Sequence, residues 1–443
     1  MKRVIVGFLV ISFGLFLKSC NSVEPPPDGQ ALTLKLEDVS CTEAWITLTT
    51  TNLQLPATLT LRQINPTGDT VSQILNLNTQ DSLLYIDSLL PNKSYQHQVS
   101  SIEYPATSNE IRVTTMDTTS HAFTWQTFVF GEQIGSVLFD VAVIDENNIW
   151  AVGAIYMTDS VGQAIGYNAV HWDGQNWELK RILYAGNIWS IKSVFAINEN
   201  DIWFSAYVRY YNGNFIELPI PGILMGWEVN KIWGNSSNDF YVVGTNGNIV
   251  QYDGSNWRKI YNNTDVNLQD INGTSDGNEV WTCGWSNQSG RVSLLKIMGS
   301  SVESIWDSQT NTTLNTYRGT LLNSLWANGN GEFVLVGGQV LRHSLIDKKI
   351  VRREWVPYLN GSKVLELGNY AYRIKGSNKN NIVAAGDAAM IWHYNGSSWY
   401  KFEEVYNQED RLYGLVVTDN LIVAVGKRYS GLISGALILV GRR

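Results

Sequence analysis

Residues 229–244 read VNKIWGNSSNDFYVVG, and residues 248–257 read NIVQYDGSNW. The first run holds an apolar strand around Ile232, a polar turn at 235–238, and an aromatic-aliphatic strand from Phe240 to Val243 that ends on Gly244. The second holds a short strand at Ile249 and Val250, a tight turn at Asp253-Gly254, and an aromatic strand opened by Trp257. Asp-Gly and Asn-Gly supply the positive φ that two-residue hairpin turns demand. The aromatic after the turn gives the outermost strand apolar area with which to hold its neighbour.

From residue 137 onward this pattern returns about every 40 to 50 residues, the period of propeller blades. The turn-strand-glycine element recurs as DENNIWAVG ending at Gly153, NENDIWFSA at Ala206, SDGNEVWTCG at Gly284, GNGEFVLVG at Gly337, NKNNIVAAG at Gly386 and DNLIVAVG at Gly426. With Gly244 that makes seven copies. A four-stranded unit buries little alone, so stacking around a ring makes the core. Trp150, Trp203, Trp233, Trp281, Trp326 and Trp399 are therefore expected to be structural.

The last copy is one strand short, while residues 122–128 (AFTWQTF) look like an outer strand such as NWELK at 176–180. That segment is expected to close the ring and remove its open edge. The predicted class is all-β: a seven-bladed β-propeller over 122–443, with six or eight blades left open because the fifth and seventh copies are weak.

Residues 31–116 precede it with strictly alternating runs, LTLKL at 32–36, AWITL at 44–48 and TLTL at 58–61. Such runs are half-buried strands. The segment LYIDSLLPNKSY at 84–95 resembles the corner of fibronectin type III domains, where a tyrosine hydroxyl ties back to the upstream backbone. Trp45 stands at an alternate position to that family's strand-B tryptophan. The resemblance implies a small sandwich, a spacer or adhesive module with no site singled out.

At the start of the chain, Lys2 and Arg3 precede an apolar run over 4–17, followed by Leu17-Lys18-Ser19-Cys20. The run is shorter than the about 20 residues that span a bilayer and has the size of a signal-peptide core. The tetrapeptide resembles the lipobox of bacterial lipoproteins, with Lys18 in place of the usual small residue. That resemblance implies a signal peptide over 1–20, lipidation of Cys20, and a membrane anchor in the cell envelope. Residues 21–30, with Pro25, Pro26 and Pro27, read as a stiff spacer. Asn21 after the cysteine leans toward the outer membrane, facing either the periplasm or the outside.

A net charge of −8 argues against nucleic acid as partner. The remaining cysteines, Cys41 and Cys283, form no metal or disulfide pattern. The five histidines, His97, His121, His171, His343 and His393, show no metal spacing, though His171 and His393 fall at equivalent strand positions. No metal and no cofactor is implied. The turns at 173–177 and 253–257 share only the tail of the Asp-box of sialidases, and that family's Phe-Arg-Ile-Pro segment is absent.

A propeller offers a rim instead. Loops after the second and fourth strands gather on one face, and several are long and aromatic: 184–189, 219–227, 311–318 and 357–372, with an insertion at 155–167 in the first blade. Aligning the inner strands on Val141, Val194, Ile232, Ile271, Leu325, Ile374 and Leu415 puts Asp140, Ser193, Lys231, Asp270, Ser324, Arg373 and Gly414 one position earlier. These line either a polar pocket or a solvated channel. The candidate ligand-binding residues are thus Trp189, Trp227, Tyr317, Arg318 and Tyr370 on loops, and Asp140, Lys231, Asp270 and Arg373 at the channel. The expected function is non-catalytic binding of a glycan or an envelope protein. The alternative is a carbohydrate-active hydrolase or lyase with two carboxylates at the channel mouth.

Overall fold

The computed structural model describes residues 31–443 apart from 104, 275–276, 311–320, 329–331, 337–339, 345–348, 352–369 and 432. Cys20, Gly337, Tyr317 and Arg318 lie outside the described residues. The chain divides into two compact units, 1–119 with 395–397, and the rest.

In the first unit the alternating runs become two antiparallel sheets. One is three-stranded, in the order Ala31–Val39, Ala44–Thr51, Asp81–Ile86. The other is four-stranded, in the order Thr70–Leu77, Ala57–Ile64, Ser94–Ser101, Ile111–Thr114. Inward residues of both sheets, among them Ile46, Leu48, Leu59, Leu84 and Val99, form one buried core. The Tyr95 hydroxyl accepts a 2.8 Å hydrogen bond from the backbone N–H of Leu90. Cys41 is buried, and desolvation lifts its thiol to about 11, so it stays protonated and inert.

In the second unit the described strands form seven four-stranded antiparallel sheets, with a separate two-stranded ribbon at 183–188. Blades 1 to 6 span 137–180, 194–217, 229–260, 267–307, 324–351 and 371–401. Blade 7 orders Asp410–Val417, Leu421–Ser430, Ile433–Arg442 and, from the other end of the unit, Thr124–Phe130. Ala436 to Arg442 pair with Phe130 to Thr124 in unbroken register. The closing strand therefore lies two residues later than its sequence pattern suggests, because Phe123 is drawn into the core between blades 6 and 7. Each inner strand contacts the next, and that of blade 7 contacts that of blade 1. The ring is an all-β, closed β-propeller.

The recurring glycine has a single cause. A Cβ at Gly153, Gly244, Gly284, Gly386 or Gly426 would lie 1.8–2.1 Å from a carbonyl oxygen in, or immediately before, the adjacent inner strand. At each of these sites the inner strand carries a β-bulge: Leu138/Asp140, Val229/Lys231, Leu268/Asp270, Ala371/Arg373 and Leu412/Gly414. The bulge bends the backbone toward the neighbouring strand and re-aims the extra residue. Glycine is required for close approach rather than for positive φ. In blade 2 the equivalent residue is Ala206, and Val194 pairs with Phe204 without that bulge.

The tight turns are of two kinds. Asn212-Gly213 is a two-residue turn, with both residues at positive φ (46° and 87°). The Asp-Gly turns are wider, with four residues between Trp172 and Trp177. The Asp173 carboxylate closes this turn by accepting from the backbone N–H groups of Gln175 and Asn176. Likewise the insertion of blade 1 is not a loop: its strands run on to Thr158 and back from Ala164.

A second repeat explains His171 and His393. In five blades the residue at, or just before, the start of the second strand bonds to a third-strand residue two positions off the direct pair. The described examples are Asn148–His171, Asp201–Arg209, Asp239–Gln251, Glu279–Lys296 and Asn381–His393. In three of them the third-strand residue also covers a buried tryptophan, with His171 stacked on Trp150, Arg209 over Trp203 and Lys296 over Trp281.

Candidate functional site

The inner-strand polar residues are drawn together across blades. Asp140 is 3% exposed and accepts from the Ser193 hydroxyl, the Val194 N–H and the Lys231 ammonium. Ser193 in turn accepts from the Ile232 N–H. Blades 4, 5 and 6 repeat this clasp. Asp270, fully buried, accepts from the Ser324 hydroxyl, the Leu325 N–H and Lys375, and Ser324 accepts from the Ile374 N–H. Burial alone would raise the Asp270 carboxyl, but Lys375, Arg373 and Lys231 outweigh it and hold the group below its ordinary value. Arg373 donates to the carbonyls of Asn323 and Tyr372. At the seventh position a Cβ on Gly414 would come within 2.9 Å of the Asp140 Cα, so blade 7 meets blade 1 backbone to side. Sequence reasoning identified Asp140, Lys231 and Asp270 as facing the centre, but their polar atoms are engaged in joining blades.

The bulges do something else. Their extra residues include Phe139, Tyr372 and Tyr413, one position before the aligned set. Tyr372 and Tyr413 rings lie 5.6 Å apart and Tyr413 and Phe139 rings 6.4 Å apart. The segment leading into blade 2 contributes Lys192, whose ammonium sits 3.7 Å from the Phe139 ring centroid. Blades 6, 7, 1 and 2 thus present a half-buried aromatic arc ending in a cation. Burial raises both tyrosines, Tyr413 to about 12, so the arc's rings carry no charge near neutrality.

Beside the arc, where blade 2 departs from the repeat, lies a pocket of about 480 Å³. Its apolar walls include Tyr184, Trp189, Tyr207, Leu224 and Trp227, and its charged residues are Lys192 and Glu228. The size falls in the about 300–1,000 Å³ range of small-molecule and side-chain sites. Each wall is held from behind. Ser205 and Ala206 take positive φ (47° and 69°) in place of the bulge glycine and deliver Tyr207 into the pocket. The Ser205 hydroxyl accepts from the Lys192 N–H. Buried Asn168 clamps the 182–189 connection through the Ile182 N–H and the carbonyls of Ile182 and Trp189. The Trp227 indole donates to the Ile223 carbonyl, and its ring lies where a side chain on Gly244 would be.

Of the loop aromatics expected at the rim, Trp189 (57% exposed) and Trp227 therefore meet in one pocket. Tyr370 is exposed but does not line it. Lys192, Tyr207 and Glu228 were missed by pattern. The available signal was Ala206, the one residue that breaks the glycine repeat.

No family model and no curated protein matches the sequence. Solved structures do match. "YCF48 bound to D1 peptide" shares 14% identity, covering 74% of this chain and 99% of that one, with a TM-score of 0.52. "Structure of Dos1 propeller" shares 11% identity over 73% and 93%, with a TM-score of 0.41. "Crystal structure of Nidogen/Laminin Complex" shares 12% over 63% and 96%, with a TM-score of 0.36. The first of these likenesses establishes the β-propeller fold.

Proposed function

We propose that this protein is a non-catalytic binding propeller of the cell envelope that holds a protein segment on its loop-rich face. The observation that carries this reading is the pocket beside blade 2, an aromatic cavity braced by buried hydrogen bonds and formed where the repeat is broken. Rigid aromatic walls give large contact area at little entropic cost. Among its lining residues the acid is Glu228, whereas two-carboxylate glycoside hydrolysis needs a pair. A peptide-bound propeller among the structural neighbours is in keeping with a protein partner. The lipobox-like Cys20 supports tethering to a membrane, on the outer-membrane side of the envelope, and the 31–116 sandwich, fibronectin type III-like in its Tyr95 tie, serves as a spacer.

Site-specific photo-crosslinking in living cells tests the reading. A benzophenone side chain at Met225, 66% exposed beside the pocket, is expected to trap a discrete protein partner. The same group at Met298, 46% exposed at a tight turn of blade 4 on the opposite end, is expected to trap none. Equal yields at both positions, or adducts at Met298 alone, would refute the assignment.

A further inference from the structure

The pocket and the aromatic arc meet at one residue. Lys192 lines the pocket, and its ammonium rests on Phe139, the first ring of the arc. The contact leaves it half-buried with no carboxylate partner among the described residues. Its neighbours across blades differ in this respect, since Lys231 and Lys375 each hold an aspartate. A half-buried cation between two aromatic surfaces favours an incoming anion, because charge-assisted hydrogen bonds gain strength as water is excluded.

From this arrangement we infer that the face recognises an acidic peptide segment. A large apolar side chain of the partner fills the pocket, a carboxylate one or two residues away meets Lys192, and the chain continues over Phe139 and Tyr413. The inference rests on the binding reading above and names the partner's chemistry. Leu224, Ile220 and Val229 make one side of the pocket apolar, which suits a large apolar side chain of a peptide. In an extended chain successive residues rise by roughly 3.3 Å, which suits neighbouring apolar and acidic side chains to adjacent subsites.

The test is selection from a random dodecapeptide library displayed on phage against the full chain in detergent micelles. Enriched peptides are expected to carry Asp or Glu within two positions of a large apolar residue. The affinity of a selected peptide should fall roughly tenfold or more with Lys192→Glu and stay within about threefold with Lys192→Arg. Should Lys192→Glu unfold, Lys192→Gln gives the same comparison, since both variants are first checked by thermal melting. Enrichment of peptides with no acidic bias, or insensitivity to Lys192, overturns this inference and leaves the binding reading standing. Failure of the library together with Lys192-dependent binding of a hexuronic acid oligosaccharide overturns the peptide assignment. Failure of both ligand classes overturns the inference and the binding reading together.

Discussion

Asp270→Ala should lower the stability of the propeller by about 3–5 kcal/mol, the range found when one partner of a buried ion pair is removed. Asp270 is fully buried and receives the Ser324 hydroxyl, the Leu325 N–H and the Lys375 ammonium from the two following blades. Truncation removes the carboxylate from all three donors, leaving Lys375 only the Leu325 carbonyl, and the Lys375 side chain is only 13% exposed. The charge left behind is the main cost, so Asp270→Ala combined with Lys375→Met should be less destabilised than Asp270→Ala alone. Urea unfolding followed by tryptophan fluorescence measures both. A loss below about 1 kcal/mol, within the usual range for surface substitutions or little more, would mean that the clasp does not join the blades.

Acid should open the ring from the closing strand. His121 stands just before that strand, and its Nδ1 lies 2.8 Å from Nδ1 of His393. His393 Nε2–H donates to Asn381, so His393 Nδ1 must be the acceptor and His121 Nδ1–H the donor. A second proton on His393 would face that N–H. Burial first, then His121 and Arg443, lower His393 to about 3, and burial and Arg443 lower His121 as well. The folded value lies below the unfolded value near 6.5, so the unfolded chain binds more protons between the two. Stability is therefore present above about pH 6.5 and is lost as pH falls toward 3, by about 1.4 kcal/mol per pH unit from this residue. At pH 4 the loss is about 3 kcal/mol. His393→Gln should start less stable at pH 7 but show a shallower decline between pH 6.5 and 4. Parallel curves for the two proteins would contradict the assignment.

The blades were legible because each carries the same local chemistry, a polar turn, an apolar strand and a glycine, and local chemistry survives in a linear sequence. The closing strand was legible for the same reason, since AFTWQTF repeats the outer-strand pattern in the one place where a strand is wanting. The roles of Asp140 and Asp270 were not. Their partners lie 53 to 105 residues away, and only the closed ring determines which blade supplies them. Phe139 and Tyr413 escaped notice because the bulges shift the inner strand by one residue, so an alignment on apolar positions points at the neighbours; Tyr372 was named only as the end of the 357–372 loop. Trp189 and Trp227 were visible as loop aromatics, whereas their convergence depends on the positive-φ turn at Ser205 and Ala206.

Amide hydrogen exchange on the full chain, with and without a library-selected peptide, tests the binding face most directly. Residues 184–192, 205–207 and 220–229 should exchange more slowly in the complex, because these segments form the pocket walls. The tight turns at 173–176 and 253–256, at the other end of the blades, should exchange unchanged. Protection at those turns, with none at the three pocket segments, would contradict the account.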